Sequence, residues 1–102
     1  RIVKGDLIEN LRSVAADAPR DATLVVFHTA VLPYLPEEAR ERFVRLVAEI
    51  DAVWISNESP GVLPPIAAKL SVPPPADLKL LSVDGEPVAF TGPPGLSIEW
   101  LP

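Results

Sequence analysis

Two uncharged, β-branched runs joined by one amphipathic helix constrain this chain more than any other feature. Thr23-Leu24-Val25-Val26-Phe27 and Ala52-Val53-Trp54-Ile55-Ser56 contain no charged side chain. Runs that are apolar at nearly every position belong to strands buried on both faces, as in parallel sheets. Between them, Ala39, Phe43, Leu46, Val47 and Ile50 recur at helical spacing. Pro36 suits the first position of that helix, and Glu37 and Glu38 suit its positive end. Glu38 with Arg42, and Glu41 with Arg45, are spaced for pairing one turn apart on the outer face. Strand, helix and strand with short joints predict a right-handed βαβ crossover with parallel strands.

The flanks extend this core in two styles. Upstream, residues 1–4 read as the end of a strand stopped by Gly5. Asp6 is a good helix N-cap with Glu9 three residues on, and Leu7, Ile8, Leu11, Val14, Ala15 and Ala18 predict a helix over residues 7–18. Downstream the chain becomes proline-rich from residue 59 to residue 75, with a short helix expected near residues 65–70. Residues 78–83 and 87–91 then flank Asp84-Gly85, a strong hairpin signal. A second turn at Gly92-Pro93-Pro94-Gly95 leads to a last alternating strand over residues 96–101. The expected fold is therefore α/β: a partial, Rossmann-like parallel sheet with an antiparallel C-terminal meander. Residues 1–58 form the parallel βαβαβ part, 59–77 a Pro-rich loop, and 78–102 the antiparallel strands.

Composition narrows the function classes. A chain of 102 residues holds one domain and one modest core. Net charge is −5, from 9 basic and 14 acidic residues, which argues against a nucleic-acid surface. No apolar stretch approaches the roughly 20 residues that cross a bilayer. With no cysteine and a single histidine, there is no thiolate or His-cluster metal site, and the cytoplasm is the expected compartment. There is no methionine, so a trimmed or longer parent chain is the expectation at Arg1. If residues 23–27 form a central strand, one edge lacks a partner within this sequence. An open apolar edge invites pairing with another chain, so either a copy of this one or an upstream part of the same protein is the expected partner.

Ligands of parallel sheets bind beyond the carboxyl ends of the strands. Asp6, His28-Thr29 and Ser56-Asn57-Glu58 all fall at such ends, which makes them walls of one candidate cleft. His28 and Glu58 are the candidate general bases, and Asp6 a candidate cofactor contact that doubles as a helix cap. Tyr34, Ser56 and Asn57 are the candidate substrate contacts, while Trp54 belongs to the core. The opposing readings are structural: a satisfied histidine at a strand end, and Asn57-Glu58 bracing the turn before Ser59-Pro60-Gly61. No G-x-S-x-G elbow, P-loop or G-x-G-x-x-G turn occurs. Ser56, His28 and Glu58 contain the residue types of a hydrolytic triad, but their spacing has no specificity for one.

The stretch Gly5-Asp6-Leu7, the run from Thr23 to Leu35 with His28-Thr29-Ala30, and Trp54-Ile55-Ser56-Asn57-Glu58-Ser59-Pro60-Gly61 resemble the C-terminal part of an uncharacterised conserved bacterial protein family. The resemblance continues through Val83-Asp84-Gly85-Glu86-Pro87 and Glu99-Trp100-Leu101. More distantly, the order of elements is similar to the second half of class I S-adenosylmethionine-dependent methyltransferases. That similarity implies an acidic residue near the nucleoside, matched here by Asp6, and a final antiparallel strand pair. The Gly-rich loop and the second acidic residue that hold the cofactor in such enzymes have no counterpart in this sequence. S-adenosylmethionine would therefore need an upstream half. The alternative implied by the same residues is a non-catalytic assembly or partner-binding module that uses the Pro-rich segment 59–75 as its contact surface.

Overall fold

The computed structural model describes all residues from Arg1 to Pro102. Its elements are α1 (Leu7–Ala16), β1 (Val25–Thr29), α2 (Glu37–Ala48), β2 (Val53–Glu58), α3 (Pro64–Ala67), β3 (Lys79–Val83), β4 (Glu86–Thr91) and β5 (Ile98–Trp100). One five-stranded sheet runs in sequential order from β1 to β5. Only β1 and β2 are parallel, with Val26 beside Trp54 and His28 beside Ser56. The pairs β2–β3, β3–β4 and β4–β5 are antiparallel. The fold is thus mixed α/β, and the parallel part holds one βαβ unit instead of the expected βαβαβ.

Local chemistry explains most of these elements. Asp6 caps α1 as expected, its Oδ1 accepting the Glu9 amide at 3.0 Å. Asp6→Ala should cost about 1 kcal/mol, the usual worth of a side-chain N-cap, and a urea melt of the purified chain reads it directly. Pro36 is at the cap position of α2, one residue before the expected one, and its carbonyl accepts the Arg40 amide at 3.0 Å. The outer-face pairs expected on α2 do not form. Instead, Glu49, just past the end of α2, pairs with Arg12 of α1 and ties the two helices together. Asp84 and Gly85 take φ of 50° and 81°, the left-handed pair that a two-residue hairpin turn requires. The Asp84 carboxylate also accepts the Trp54 amide at 2.8 Å, so the β3–β4 turn is clamped to β2.

Three sequence expectations are corrected. Residues 1–4 form no strand, because no neighbouring strand is there to take their hydrogen bonds, and Ile2 is left exposed. The first strand lies two residues later than expected, so His28 and Thr29 sit inside β1 and not in a loop after it. The third concerns burial. Residues 26, 28, 54, 56, 58, 80, 82 and 90 face α2 and α3, where Leu32, Phe43, Val47, Leu63 and Ile66 complete the core. The opposite face of β1 is bare: Phe27 is 75% exposed and Val25 is also exposed. An apolar run meant for two-sided burial is covered on one side only.

The free edge of β1 can be read from the ladder. Val53 donates to the Leu24 carbonyl at 2.9 Å and Ala30 donates to the Asn57 carbonyl at 3.1 Å. In a parallel ladder alternate residues face the same neighbour, so the even-numbered residues of β1 serve β2. The N–H and C=O groups of Val25, Phe27 and Thr29 point outward. Between β1 and α1 a groove of about 500 Å³ is lined by Leu7, Leu11, Val14, Val26 and Phe43 among others.

Candidate functional site

The register that aligns β1 with β2 places His28, Trp54 and Glu58 on the covered face of the sheet. Glu58 is 2% exposed, and its Oε2 lies 2.6 Å from Nδ1 of His28. Trp54 donates its indole N–H to Nε2 of His28 at 3.0 Å. Because Nε2 must accept, a neutral imidazole with its proton on Nδ1 satisfies both contacts. The ring is held edge-on by Phe43, with centroids 5.1 Å apart. Trp54, His28 and Glu58 thus form a buried hydrogen-bonded row across the two parallel strands.

Glu58 also reaches the chain after β1. Ala30 takes φ of 53°, a left-handed turn that costs a non-glycine residue roughly 1 kcal/mol. The turn swings the Val31 amide to 3.2 Å and the Leu32 amide to 3.5 Å from Oε2. Two backbone donors and an imidazole therefore converge on one carboxylate oxygen, the arrangement of a small anion nest. The other oxygen, Oε1, is buried without a partner. Ser56 and Ser82 lie opposite each other on β2 and β3, on the same face and also buried.

The remaining expected residues are dispersed. Asn57 points to the other face, where it donates to Thr29 Oγ1 at 3.1 Å and accepts from Thr91 Oγ1 at 2.8 Å. Tyr34 is 88% exposed on the 3₁₀ turn Leu32–Tyr34. Asp6 is exposed and engaged as the α1 cap. The structure therefore brings together His28, Glu58 and Ser56, and leaves Asp6, Tyr34 and Asn57 outside that cluster. Both ring nitrogens of His28 are occupied by Glu58 and Trp54, so Ser56 receives no base from it and no triad forms. Sequence reading missed the indole N–H of Trp54 as a polar partner, and it missed Ser82. A lone serine on the buried parity of Leu80-Leu81-Ser82-Val83 was the available signal.

The fold and cluster define a mixed α/β chain with a one-sided sheet, an open parallel-strand edge and a buried histidine–carboxylate brace. The chain belongs to the family described as "uncharacterized protein conserved in bacteria (DUF2332)", whose model matches residues 1–100. No curated protein and no solved structure gives a significant match. No helix is long and apolar enough to cross a membrane.

Proposed function

We propose that this chain is one half of a Rossmann-like, methyltransferase-like domain, whose other half adds a strand to the open edge of β1 and covers Val25 and Phe27. One observation carries the reading: β1 is unpaired on its outer edge and bare on one face, yet it has no charge, proline or bulge. Edge strands that remain edges normally carry one of those protections. The α1 helix supports the same reading. It leads into β1 and packs beside α2 on the same side, where a second crossover helix would lie. The occupant is thus a parallel strand from the rest of the same domain, in continuation of the β1–β2 pair.

In this reading the His28–Glu58 brace is a positioning element beneath the strand ends. Asn57, half-buried near the end of β2, faces substrate, as does Tyr34. Asp6 contacts the nucleoside of S-adenosylmethionine, whose remaining contacts come from the other half. Calorimetric titration of the longer protein with S-adenosylmethionine should show binding that this chain alone lacks. Hydrogen exchange adds a second readout: the amides of Val25, Phe27 and Thr29 exchange freely here and become protected in the longer protein. If those amides are protected and no S-adenosylmethionine binds, the cofactor reading fails and the pairing stands. If the amides stay open in the longer protein, the pairing itself is wrong. Protection in this chain alone, with a doubled mass in sedimentation, would assign the edge to a second copy.

The engagement of both His28 ring nitrogens by Glu58 and Trp54 favours a second reading, a non-catalytic partner-binding module. In that case Asn57→Ala leaves function intact, and changes in the loop over residues 59–75 abolish it.

A further inference from the structure

We infer that Glu58, Ser56 and Ser82 hold one internal water molecule, at a site independent of how β1 is paired. The site is a cavity of about 10 Å³ under the 3₁₀ turn Pro60–Val62 and α3. It is lined by Ser56, Glu58 and Ser82, with Leu63, Ile66 and Leu80 as its apolar walls and Pro60 and the exposed Ser59 at its rim. Ser56 is 2% exposed, Ser82 1% and Glu58 2%. The Oε1 atom of Glu58 is the one buried side-chain polar atom with no hydrogen-bond partner, so neither serine hydroxyl reaches it.

Size and chemistry together select the occupant. A single water needs roughly 10–15 Å³ and two to four polar partners, and empty cavities in proteins are apolar. This cavity has just the volume that one water needs, and three buried polar side chains, Ser56, Glu58 and Ser82, surround it. The water donates to Glu58 Oε1 and exchanges hydrogen bonds with the two hydroxyls, each of which can donate or accept. It satisfies the acceptor that the His28 side leaves unpaired, and it ties β2 to β3 where their serines face each other. A calcium ion would need six to eight oxygens, which one carboxylate and the serine hydroxyls here do not supply. A larger ligand does not fit.

Water-selective NMR on the full chain tests this. Cross-peaks should connect a long-lived water to the backbone amides or β-protons of Ser56 and Ser82, and oxygen-17 relaxation dispersion should count it. Ser82→Val fills the cavity with methyl groups, and the Ser56 cross-peak should vanish while the dispersion amplitude falls by one water. Absence of any long-lived water at Ser56 in the unaltered chain overturns the assignment, whatever the variant does. So does an unchanged Ser56 cross-peak in a folded Ser82→Val chain. A titration with sodium chloride against choline chloride gives the remaining arm. Saturable shifts confined to Ser56, Glu58 and Ser82 under sodium alone would make the occupant a cation and refute the water.

Discussion

Glu58→Ala should lower the unfolding free energy by about 3–5 kcal/mol, because it strands several donors at once and each buried donor left without an acceptor costs roughly 1–3 kcal/mol. One carboxylate oxygen accepts from the His28 imidazole and from the amides of Val31 and Leu32. Alanine leaves the His28 and Leu32 donors buried with no acceptor, frees the Val31 amide, and opens a void beside Leu63, Ile66 and Leu80. Nothing on the surface compensates, since Glu58 is almost wholly enclosed. For a chain whose total stability is expected to be about 5–15 kcal/mol, this approaches unfolding. Urea denaturation followed by circular dichroism measures it as a fall of one molar or more in the midpoint, for a slope of roughly 1–3 kcal/mol per molar.

Glu58→Gln separates shape from charge. Its amide oxygen can accept from His28, Val31 and Leu32 in the same position, so the loss should shrink to about 1–2 kcal/mol, the difference between charged and neutral acceptors. Trp54→Phe acts on the other end of the row by removing the donor to His28 Nε2. Combined with Glu58→Ala it should cost less than the sum of the two single changes, because each already frees His28 from one of its restraints. Additive losses would mean that the three residues do not act as a row. A Glu58→Ala chain as stable as its parent would remove the brace altogether.

How much of this could be read from the sequence follows from which interactions are local. The α2 helix and the Asp84-Gly85 hairpin were legible because each depends on residues within a few positions of one another, and the βαβ unit because its two apolar runs flank that helix. The boundary of β1 was not. His28 and Thr29 look like the start of a polar loop, but pairing with Ser56 and Asn57 draws them into the ladder. Two-sided burial of β1 failed for a related reason. Valine and phenylalanine at alternate positions state what the strand needs, and the need is met only when something lies against Val25 and Phe27. Residues 1–4 make the same point, since Ile2 and Val3 between two basic residues become a strand only beside another strand.

The candidate site was legible in its members and not in its geometry. Asp6, His28 and Ser56-Asn57-Glu58 were placed at one sheet edge by topology, and His28 with Glu58 did converge. The alternation of β2 then divided the polar triplet between two faces: Ser56 and Glu58 inward, Asn57 outward. Pairing with β3, whose register rests on a turn some thirty residues away, brought Ser82 to the same place. Trp54 was rightly assigned to the core, but its indole N–H is also one end of the polar row. A residue's period shows which way it faces and leaves open what waits there.

Phe43→Ala should be the most damaging apolar change, at about 3–5 kcal/mol, as for other fully buried aromatic rings. Phe43 is 1% exposed and its ring meets two others, His28 at 5.1 Å and Trp54 at 6.2 Å between centroids. Removing it forfeits the transfer energy of the ring, leaves a cavity under α2, and strips the edge-on support that fixes the imidazole between Trp54 and Glu58. Phe43→Leu keeps most of the volume and should cost about 1–2 kcal/mol. At roughly 4–8 °C of melting temperature per kcal/mol for a chain of this size, the alanine variant should melt more than about 12 °C lower. Emission from Trp54 should shift to the red in the same variant, measured in a Trp100→Phe background because Trp100 is exposed and would dominate the signal. Phe27→Ala provides the contrast. Its ring lies on the bare face, so in this chain the loss should stay within about 0.5 kcal/mol. Two phenylalanines of equal hydrophobicity, one under a helix and one over nothing, should then differ by several kcal/mol. If Phe27→Ala is as costly as Phe43→Ala in this chain, the second face of the sheet is already covered, and the bare-face account of β1 cannot stand.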